Sequence, residues 1–184
     1  MNRDEALALL REHVHNENLI KHCLASEAIM RALARKLGRD EEQWGIAGLV
    51  HDVDFEQTAD APDKHGLVGA GILEEHGLSP EIIDAVKAHN AEGLGLERTK
   101  EFHHALACAE TITGLIVATA LVYPDKKLAS VKASSIKKRM KKKDFARNVN
   151  RGIIMECEQI GLTLDEFAQL SLEAMQGIAD DLGL

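Results

Sequence analysis

The segment GIAGLVHD, residues 45–52, ends an apolar run with a histidine and an aspartate side by side. Asp40 as an N-cap, with Gln43 three residues later, predicts a helix that continues to about His51. A solvated helix end would account for exposed carboxylates, but not for a His-Asp pair directly after an apolar run. The segment therefore predicts a core helix that fixes His51 and Asp52 at its end.

The rest of the chain shows helical periodicity and no convincing strand alternation. Its 184 residues suffice for one domain with a sizeable core, and an aromatic content of only 3% favours helices over a β-sandwich. Besides the helix at about 40–51 and one or two short helices in a basic region, the pattern predicts helices at about 3–14, 17–37, 67–76, 79–90, 101–122, 146–160 and 164–181. The sequence thus predicts a single all-α domain.

Cysteine usage and hydropathy give an expectation about the compartment. Cys23, Cys108 and Cys157 are odd in number, widely spaced and set in apolar helical patterns, which is typical of a reducing environment. The longest apolar run, Ile112 to Tyr123, is shorter than the roughly 18 residues that span a bilayer and predicts a buried helix. The N-terminus has no signal-peptide pattern. We expect a cytoplasmic protein with no membrane partner.

Charge is distributed unevenly along the chain. Residues 125–147 contain ten Lys or Arg and two Asp, whereas the whole chain has a net charge of −8. An acidic chain with one basic segment does not resemble a general nucleic-acid-binding protein, so nucleic acid is not the expected partner. The segment forms either a solvated helix face or a contact with an anionic substrate, and for the latter Lys126, Lys127 and Lys132 are the candidates.

Five further groups join Asp52 as candidate metal ligands because each lies on a different predicted helix or at a helix end. Such positions can converge on one site in the core of a bundle. Imidazole and carboxylate ligands suit Fe, Mn, Zn, Co or Ni and exclude a thiolate-type structural zinc site. An aspartate beside a histidine can also bridge two metals. The six candidates are His22, His51, Asp52, His65, His89 and Glu110.

The order and spacing of these residues resemble the HD-domain superfamily of metal-dependent phosphohydrolases, and in particular small bacterial HDIG-related predicted hydrolases. The resemblance covers about residues 18–122 and implies a helical bundle of the HD type with one or two divalent transition-metal ions. Residues 126–184 would form C-terminal helices packed on this core. His22, His51, Asp52 and Glu110 would hold the first metal. Asp52 would bridge to a second metal, held by His65 and His89.

Three positions depart from the HDIG pattern. Val53, Asp54 and Phe55 stand where the pattern has Ile-Gly, often followed by Lys, so a lysine that could meet a substrate phosphate is missing. Asn90 follows His89 where many dinuclear members have a second histidine, which would leave the second site one ligand short. Glu110 stands where Asp is usual, and it still supplies a carboxylate.

The resemblance implies hydrolysis of a small phosphate ester, such as a nucleotide, another phosphomonoester or a phosphodiester, by a metal-activated water. Asp52 is central to this chemistry, and Asp54 and Glu56 are candidates for proton transfer or are simply loop acids. His103 shares a helix face with Glu110, so it either contacts substrate or forms the polar first turn of its helix. Two alternatives remain: O₂-dependent oxidation at a di-iron site, and a non-catalytic, metal-stabilised module that binds a nucleotide or a partner.

Overall fold

The chain folds entirely into helices and turns. A computed structural model describes all 184 residues. Two 3-10 helices, Leu128–Ser130 and Met155–Ile160, accompany eleven α-helices. The α-helices are α1 (Arg3–His13), α2 (Glu17–Leu37), α3 (Glu41–Val50), α4 (Leu67–Glu75), α5 (Pro80–His89), α6 (Ala91–Leu94), α7 (Glu101–Leu121), α8 (Ala133–Met140), α9 (Arg151–Ile154), α10 (Leu164–Gln176) and α11 (Ala179–Leu182). The predicted all-α class is confirmed.

The core forms around the two longest helices, α2 and α7. Helix α2 packs against α3, α7 and α10, while α7 also packs against α5 and the C-terminal helices. The side chains between them are fully buried, among them Ile29, Leu33, Ile112 and Ile116. Residues in the N-terminal half of α2 and near the middle of α7 therefore meet the ends of α3 and α5 in the interior of the bundle.

Helix α7 is long and apolar enough by composition to cross a membrane, which differs from the expectation that no segment reaches that length. In the fold, however, 61% of its most apolar window is buried against other helices. Its apolar surface is therefore used as a core helix of the bundle.

Helices α2 and α3 cross at unusually short distance because Gly48 has no side chain. A Cβ atom at this position would lie 2.8 Å from the carbonyl oxygen of Ser26 and 2.9 Å from the backbone nitrogen of Glu27. No other residue fits without separating the two helices. This close crossing brings the end of α3, which bears His51, next to the N-terminal half of α2, which bears His22.

The six predicted helices before residue 123 agree with the structure to within one residue at each end. The two predicted C-terminal helices do not. Asn150 caps the backbone N–H groups of Gly152 and Ile153, so a helix starts there and not at 146. Helix α10 ends at Gln176 because Gly177, a weak helix former, follows it.

Candidate metal centre

Two histidines and Asp52 form a first triad where α2 meets the end of α3. The Nε2 atoms of His22 and His51 are 3.1 Å apart. Asp52 Oδ2 lies 3.6 Å from the Nε2 of His22, and Oδ1 lies 3.5 Å from the Nε2 of His51. The three side chains can therefore direct three ligand atoms at one point.

A second triad shares Asp52 with the first. Its Oδ1 atom lies 3.2 Å from the Nε2 of His65 and 3.5 Å from the Nε2 of His89. The two imidazole nitrogens are 2.9 Å from each other. Asp52 is nearly buried and stands between the two triads, which is the position of a bridging carboxylate.

Backbone carbonyls orient two of the four histidines. His51 Nδ1 donates to the Gly48 carbonyl at 2.9 Å, one turn back along α3. His89 Nδ1 donates to the Val86 carbonyl, one turn back along α5. In both rings the Nδ1 atom carries the hydrogen, so the Nε2 atom of the neutral ring has a free lone pair that faces Asp52.

Side chains orient the other two histidines in the same way. His22 Nδ1 lies 2.8 Å from the Thr113 hydroxyl, which donates its own hydrogen to the Glu110 carbonyl at 2.6 Å and therefore accepts from the ring. His65 Nδ1 donates to Asp54 Oδ1 at 2.9 Å. All four rings thus direct Nε2 at the centre.

Nitrogen lone pairs that face each other at about 3 Å need a positive charge beside them, either a proton or a metal ion. Each triad combines two such nitrogens with a carboxylate oxygen, which is a ligand set for a first-row divalent cation. Outer groups that fix the ring orientation are a usual part of metal sites. The residues present therefore fit one metal ion in each triad.

A family model described as "HD domain" matches residues 19–120, which contain both triads and the residues that orient their histidines. The chain belongs to the HD-domain family. This family falls within the metal-dependent phosphohydrolase superfamily, so the resemblance inferred from the sequence is confirmed.

The chain is also similar to curated relatives over a shorter stretch. Ribonuclease Y of Oleidesulfovibrio alaskensis is 30% identical over 77 residues, 42% of this chain and 15% of the relative. Ribonuclease Y of Sulfurovum sp. is 30% identical over 95 residues, 52% of this chain and 18% of the relative. Ribonuclease Y of Thermosipho melanesiensis is 32% identical over 78 residues, 42% of this chain and 15% of the relative. The match thus spans less than a fifth of these relatives.

The two triads, which together we call the HD centre, differ in the pKa values of their histidines. Burial lowers the pKa of His51 to about 3, so this ring is neutral near pH 7. Burial would raise the pKa of Asp52, but His51, His65 and His89 around it hold that pKa well below its usual range. The first triad therefore offers an ionised carboxylate and a neutral imidazole without first losing a proton.

His65 is the proton-binding group of the second triad. Burial would lower its pKa, but hydrogen bonds to Asp52 and Asp54 raise the pKa of His65 to about 9 in the metal-free chain. The proton can then bridge to the lone pair of His89, 2.9 Å away. A metal ion in this triad has to displace that proton.

Glu110 stands at the edge of the first triad. Its Oε2 atom is 3.9 Å from the Nε2 of His22, while Thr111 donates its hydroxyl hydrogen to Oε1. Burial raises the pKa of Glu110. Glu110 therefore lies beside His22, but outside the triad of His22, His51 and Asp52 whose ligand atoms face one another.

The HD centre opens into a cavity of about 490 Å³. His22, Asp52, His65, His89 and Glu110 line the cavity, and the other lining residues are Leu19, Phe55, Asn90, Glu92, Asn150 and Ile153. No lysine or arginine is among the lining residues, and Phe55 is 47% exposed there. Asn150 and Ile153 were not predicted, since nothing in their local sequence indicates that the C-terminal segment returns to the centre.

Asp54 and Glu56, the candidate proton-transfer residues, bind protein groups. Asp54 is fully buried, and its Oδ2 accepts from the backbone N–H groups of Gly66 and Gly69 at 2.8 and 2.7 Å. Its Oδ1 accepts from His65. Glu56 accepts from the backbone N–H groups of residues 15 and 16, before the start of α2. These contacts favour structural support over proton transfer for both carboxylates.

The candidate substrate-binding residues lie outside the HD cavity. His103 is buried, and its Nε2 atom is 2.9 Å from Asp84 Oδ2. Lys126, Lys127 and Lys132 lie in the segment between α7 and α8, and none of them lines the cavity. The structure therefore does not bring these four residues to the metal ligands.

Two polar residues that were not predicted fix the loops of the second triad. The NH₂ group of Asn90 donates to the carbonyls of Pro62 and His65 at 3.0 and 2.9 Å, so it ties the loop before α4 to the end of α5. Arg98 donates to the His89 carbonyl at 3.2 Å and to Glu156 at 2.8 Å, and its side chain is only 5% exposed. Arg98 thereby ties the end of α5 to the C-terminal helices.

Proposed function

We propose that this HD-domain protein is a metal-dependent phosphohydrolase that cleaves a phosphate ester of nucleotide size. The observation that carries the proposal is the pair of histidine triads that share Asp52. The Nδ1 atom of every one of these imidazoles is hydrogen-bonded to a protein group, which directs Nε2 at the centre. A carboxylate shared by two ligand sets is the usual arrangement for two cations that act on one phosphoryl group. The superfamily to which the chain belongs supports the same chemistry.

The ligands divide into two sets. His22, His51, Asp52 and Glu110 would hold one metal, and Asp52, His65 and His89 would hold the other. Bound divalent cations supply Lewis-acid chemistry: they make water a usable nucleophile near neutral pH and stabilise negative charge on phosphoryl oxygens. Mn, Fe, Zn, Co and Ni all suit this donor set.

The protein contributes orientation and exclusion of water. Asp54 fixes the tautomer of His65, and Thr113 fixes that of His22, so both rings present Nε2 before any cation binds. The exposed ring of Phe55, 5.4 Å from the ring of His65, gives the cavity an apolar wall against which a planar base can stack. Asn150 also lines the cavity, and its Oδ1 atom caps the start of α9.

The charge of the cavity limits the substrate. Asp52, Glu92 and Glu110 line it and no lysine or arginine does, so affinity for phosphate has to come from the metals. This favours a substrate with one phosphate at the centre over a free polyphosphate. Because the similar relatives are named ribonucleases, the phosphodiester of RNA belongs among the substrates to test, although the chain's composition argued against a nucleic-acid partner.

The test compares wild-type protein with the variant Asp52→Asn. Asp60→Asn is the control, because it makes the same chemical change at an exposed aspartate of the same loop. Elemental analysis should find metal in the wild type and in Asp60→Asn, and little in Asp52→Asn. Mononucleotides, a dinucleotide and a short RNA are then assayed with added Mn²⁺, in air and without O₂.

Hydrolysis that follows metal content and continues without O₂ supports the proposal. Turnover that requires O₂ would support the oxidative alternative. Bound metal with no hydrolysis of any substrate would favour the non-catalytic module. Wild-type protein without bound metal and without metal-dependent stabilisation would refute the metal centre itself.

A further inference from the structure

The basic segment folds around a second cavity at the far end of α7, which we call the basic cavity. Its volume is about 560 Å³, within the range of sites for small ligands. Val122 and Pro124 line its α7 side. The remaining lining residues are Tyr123, Ser135, Lys138, Arg139, Lys142 and Phe145, none of which lines the HD cavity.

The positive charge around the basic cavity is not neutralised by the protein. Of the ten cationic side chains in residues 125–147, only Lys137 lies within salt-bridge distance of a carboxylate, that of Asp165. Lys138 and Lys142 are exposed, and no acidic residue lines the cavity. Lys138, Arg139 and Lys142 line the same cavity, so their like charges repel one another, and an anion between them would relieve that repulsion.

Hydroxyl groups add hydrogen-bond donors to this charge. The Tyr123 and Ser135 hydroxyls are 2.8 Å apart and bond to each other. This bond uses one of their two hydrogens, so the other remains available to a ligand in the cavity. Arg139 lies over the Phe145 ring at 5.1 Å from its centroid, which places a guanidinium and an aromatic ring on the same wall.

Arg151 holds the loop that carries Lys142 and Phe145 in a fixed conformation. Its guanidinium donates to the carbonyls of Ala146 and Val149 at 2.6 Å, and also to those of Lys142 and Phe145. Ala146 has a φ of 45°, a left-handed conformation that is costly for a residue with a Cβ atom. Such strain persists where the surroundings determine the conformation, so the cavity wall is preorganised before a ligand arrives.

We propose that the basic cavity binds the phosphate groups of a nucleotide at a site separate from the HD centre. Lys138, Lys142 and the free hydroxyl would contact phosphate oxygens, and the apolar and aromatic residues beside them would contact the rest of the nucleotide. The concave shape and limited volume favour a small molecule over a membrane surface or an acidic protein, both of which need a flat or extended face. This inference does not depend on the reaction proposed for the HD centre.

Isothermal titration with ATP in the presence of EDTA tests the site without metal at the HD centre. Wild-type protein should bind ATP, and the affinity should fall as KCl is raised. The double variant Lys138→Gln/Lys142→Gln should bind ATP about tenfold more weakly or worse, because two charge-assisted contacts are lost. Both side chains are exposed, so the fold should be unchanged by circular dichroism.

The matched control is Lys126→Gln/Lys127→Gln, which removes the same charge from the same segment outside the cavity. It should weaken ATP binding by less than about threefold, since screening limits charges that do not touch the ligand. Asp52→Asn should bind ATP as the wild type does, and adenosine should not bind. Equal weakening by both double variants, loss of binding in Asp52→Asn, adenosine binding as tight as that of ATP, or no ATP binding at low salt would each overturn the proposal.

Discussion

Replacement of Asp54 by asparagine should remove one metal site and leave the other. The Asp54 carboxylate accepts three hydrogen bonds, one from His65 Nδ1 and two from the backbone N–H groups of Gly66 and Gly69. Burial would raise the pKa of Asp54, but these three donors outweigh it and lower that pKa, so the group is ionised near pH 7. An amide keeps one acceptor oxygen and turns the other position into a donor.

The asparagine also changes which nitrogen of His65 carries the hydrogen. The amide oxygen can satisfy the two backbone N–H groups, which cannot move or lose their hydrogens, so the amide NH₂ faces Nδ1. His65 then has to accept at Nδ1 and carry its hydrogen on Nε2, which removes the lone pair aimed at Asp52 and His89. Loss of such an outer partner lowers metal affinity by about 10- to 100-fold. The triad of His22 and His51 has separate orienting groups and should be unaffected.

The assay is a titration of metal-free protein with Mn²⁺ in competition with a chromophoric chelator. Wild-type protein should show two binding steps, and Asp54→Asn one normal and one weakened step. Glu56→Gln is the matched control, because it makes the same chemical change two residues away at a carboxylate that bonds only to backbone N–H groups before α2. It should leave both steps unchanged.

Two results would refute this reasoning. Asp54→Asn could retain both wild-type affinities, which would mean that the tautomer of His65 does not depend on Asp54. Alternatively, both steps could weaken equally in Asp54→Asn while the protein stays folded, which would mean that the two triads are not oriented independently.

Three further predictions concern stability. In EDTA-treated protein the pKa of His65 is raised from 6.5 to about 9, so the protonated ring stabilises the fold fully below pH about 6.5 and this contribution is lost as pH rises through about 9. The difference in melting temperature between wild type and His65→Gln should therefore shrink between pH 6.5 and pH 9. A constant difference would contradict the raised pKa. Arg98→Ala should lower the free energy of unfolding in urea by about 3 kcal/mol or more, because it removes the buried cationic partner of Glu156 and the donor to the carbonyls of Ala88 and His89. A loss below about 1 kcal/mol would show that water replaces the guanidinium. Gly48→Ala should lower the free energy of unfolding by about 1 to 3 kcal/mol, because the added Cβ atom separates α2 from α3. Gly71 is a helical glycine with open space beside it, so Gly71→Ala should raise the free energy of unfolding by about 0.5 to 1 kcal/mol. Equal effects of the two changes would show that the helix crossing is not tight.

The helices before residue 123 could be predicted closely because their signals are local. Asp40 caps the helix that it was expected to cap, Ser79 caps α5, and the apolar spacing of α2 and α7 produces buried faces. The C-terminal helices were predicted less well. A competing local cap at Asn150 divides a segment whose apolar spacing would also suit one longer helix.

The sequence by itself determined the kinds of groups at the HD centre and their order along the chain, since helical period, helix caps and the donor chemistry of His and Asp are properties of short segments. The family resemblance in the sequence already implied that Asp52 is shared between two ligand sets. Only the tertiary structure decided that Asp54 supports His65 while Glu56 binds backbone before α2. The carbonyls of Gly48 and Val86 that orient two of the rings carry no side-chain signal in the sequence. Their positions depend on where helices cross, and at α2 and α3 that crossing is set by the absence of a Cβ atom at residue 48.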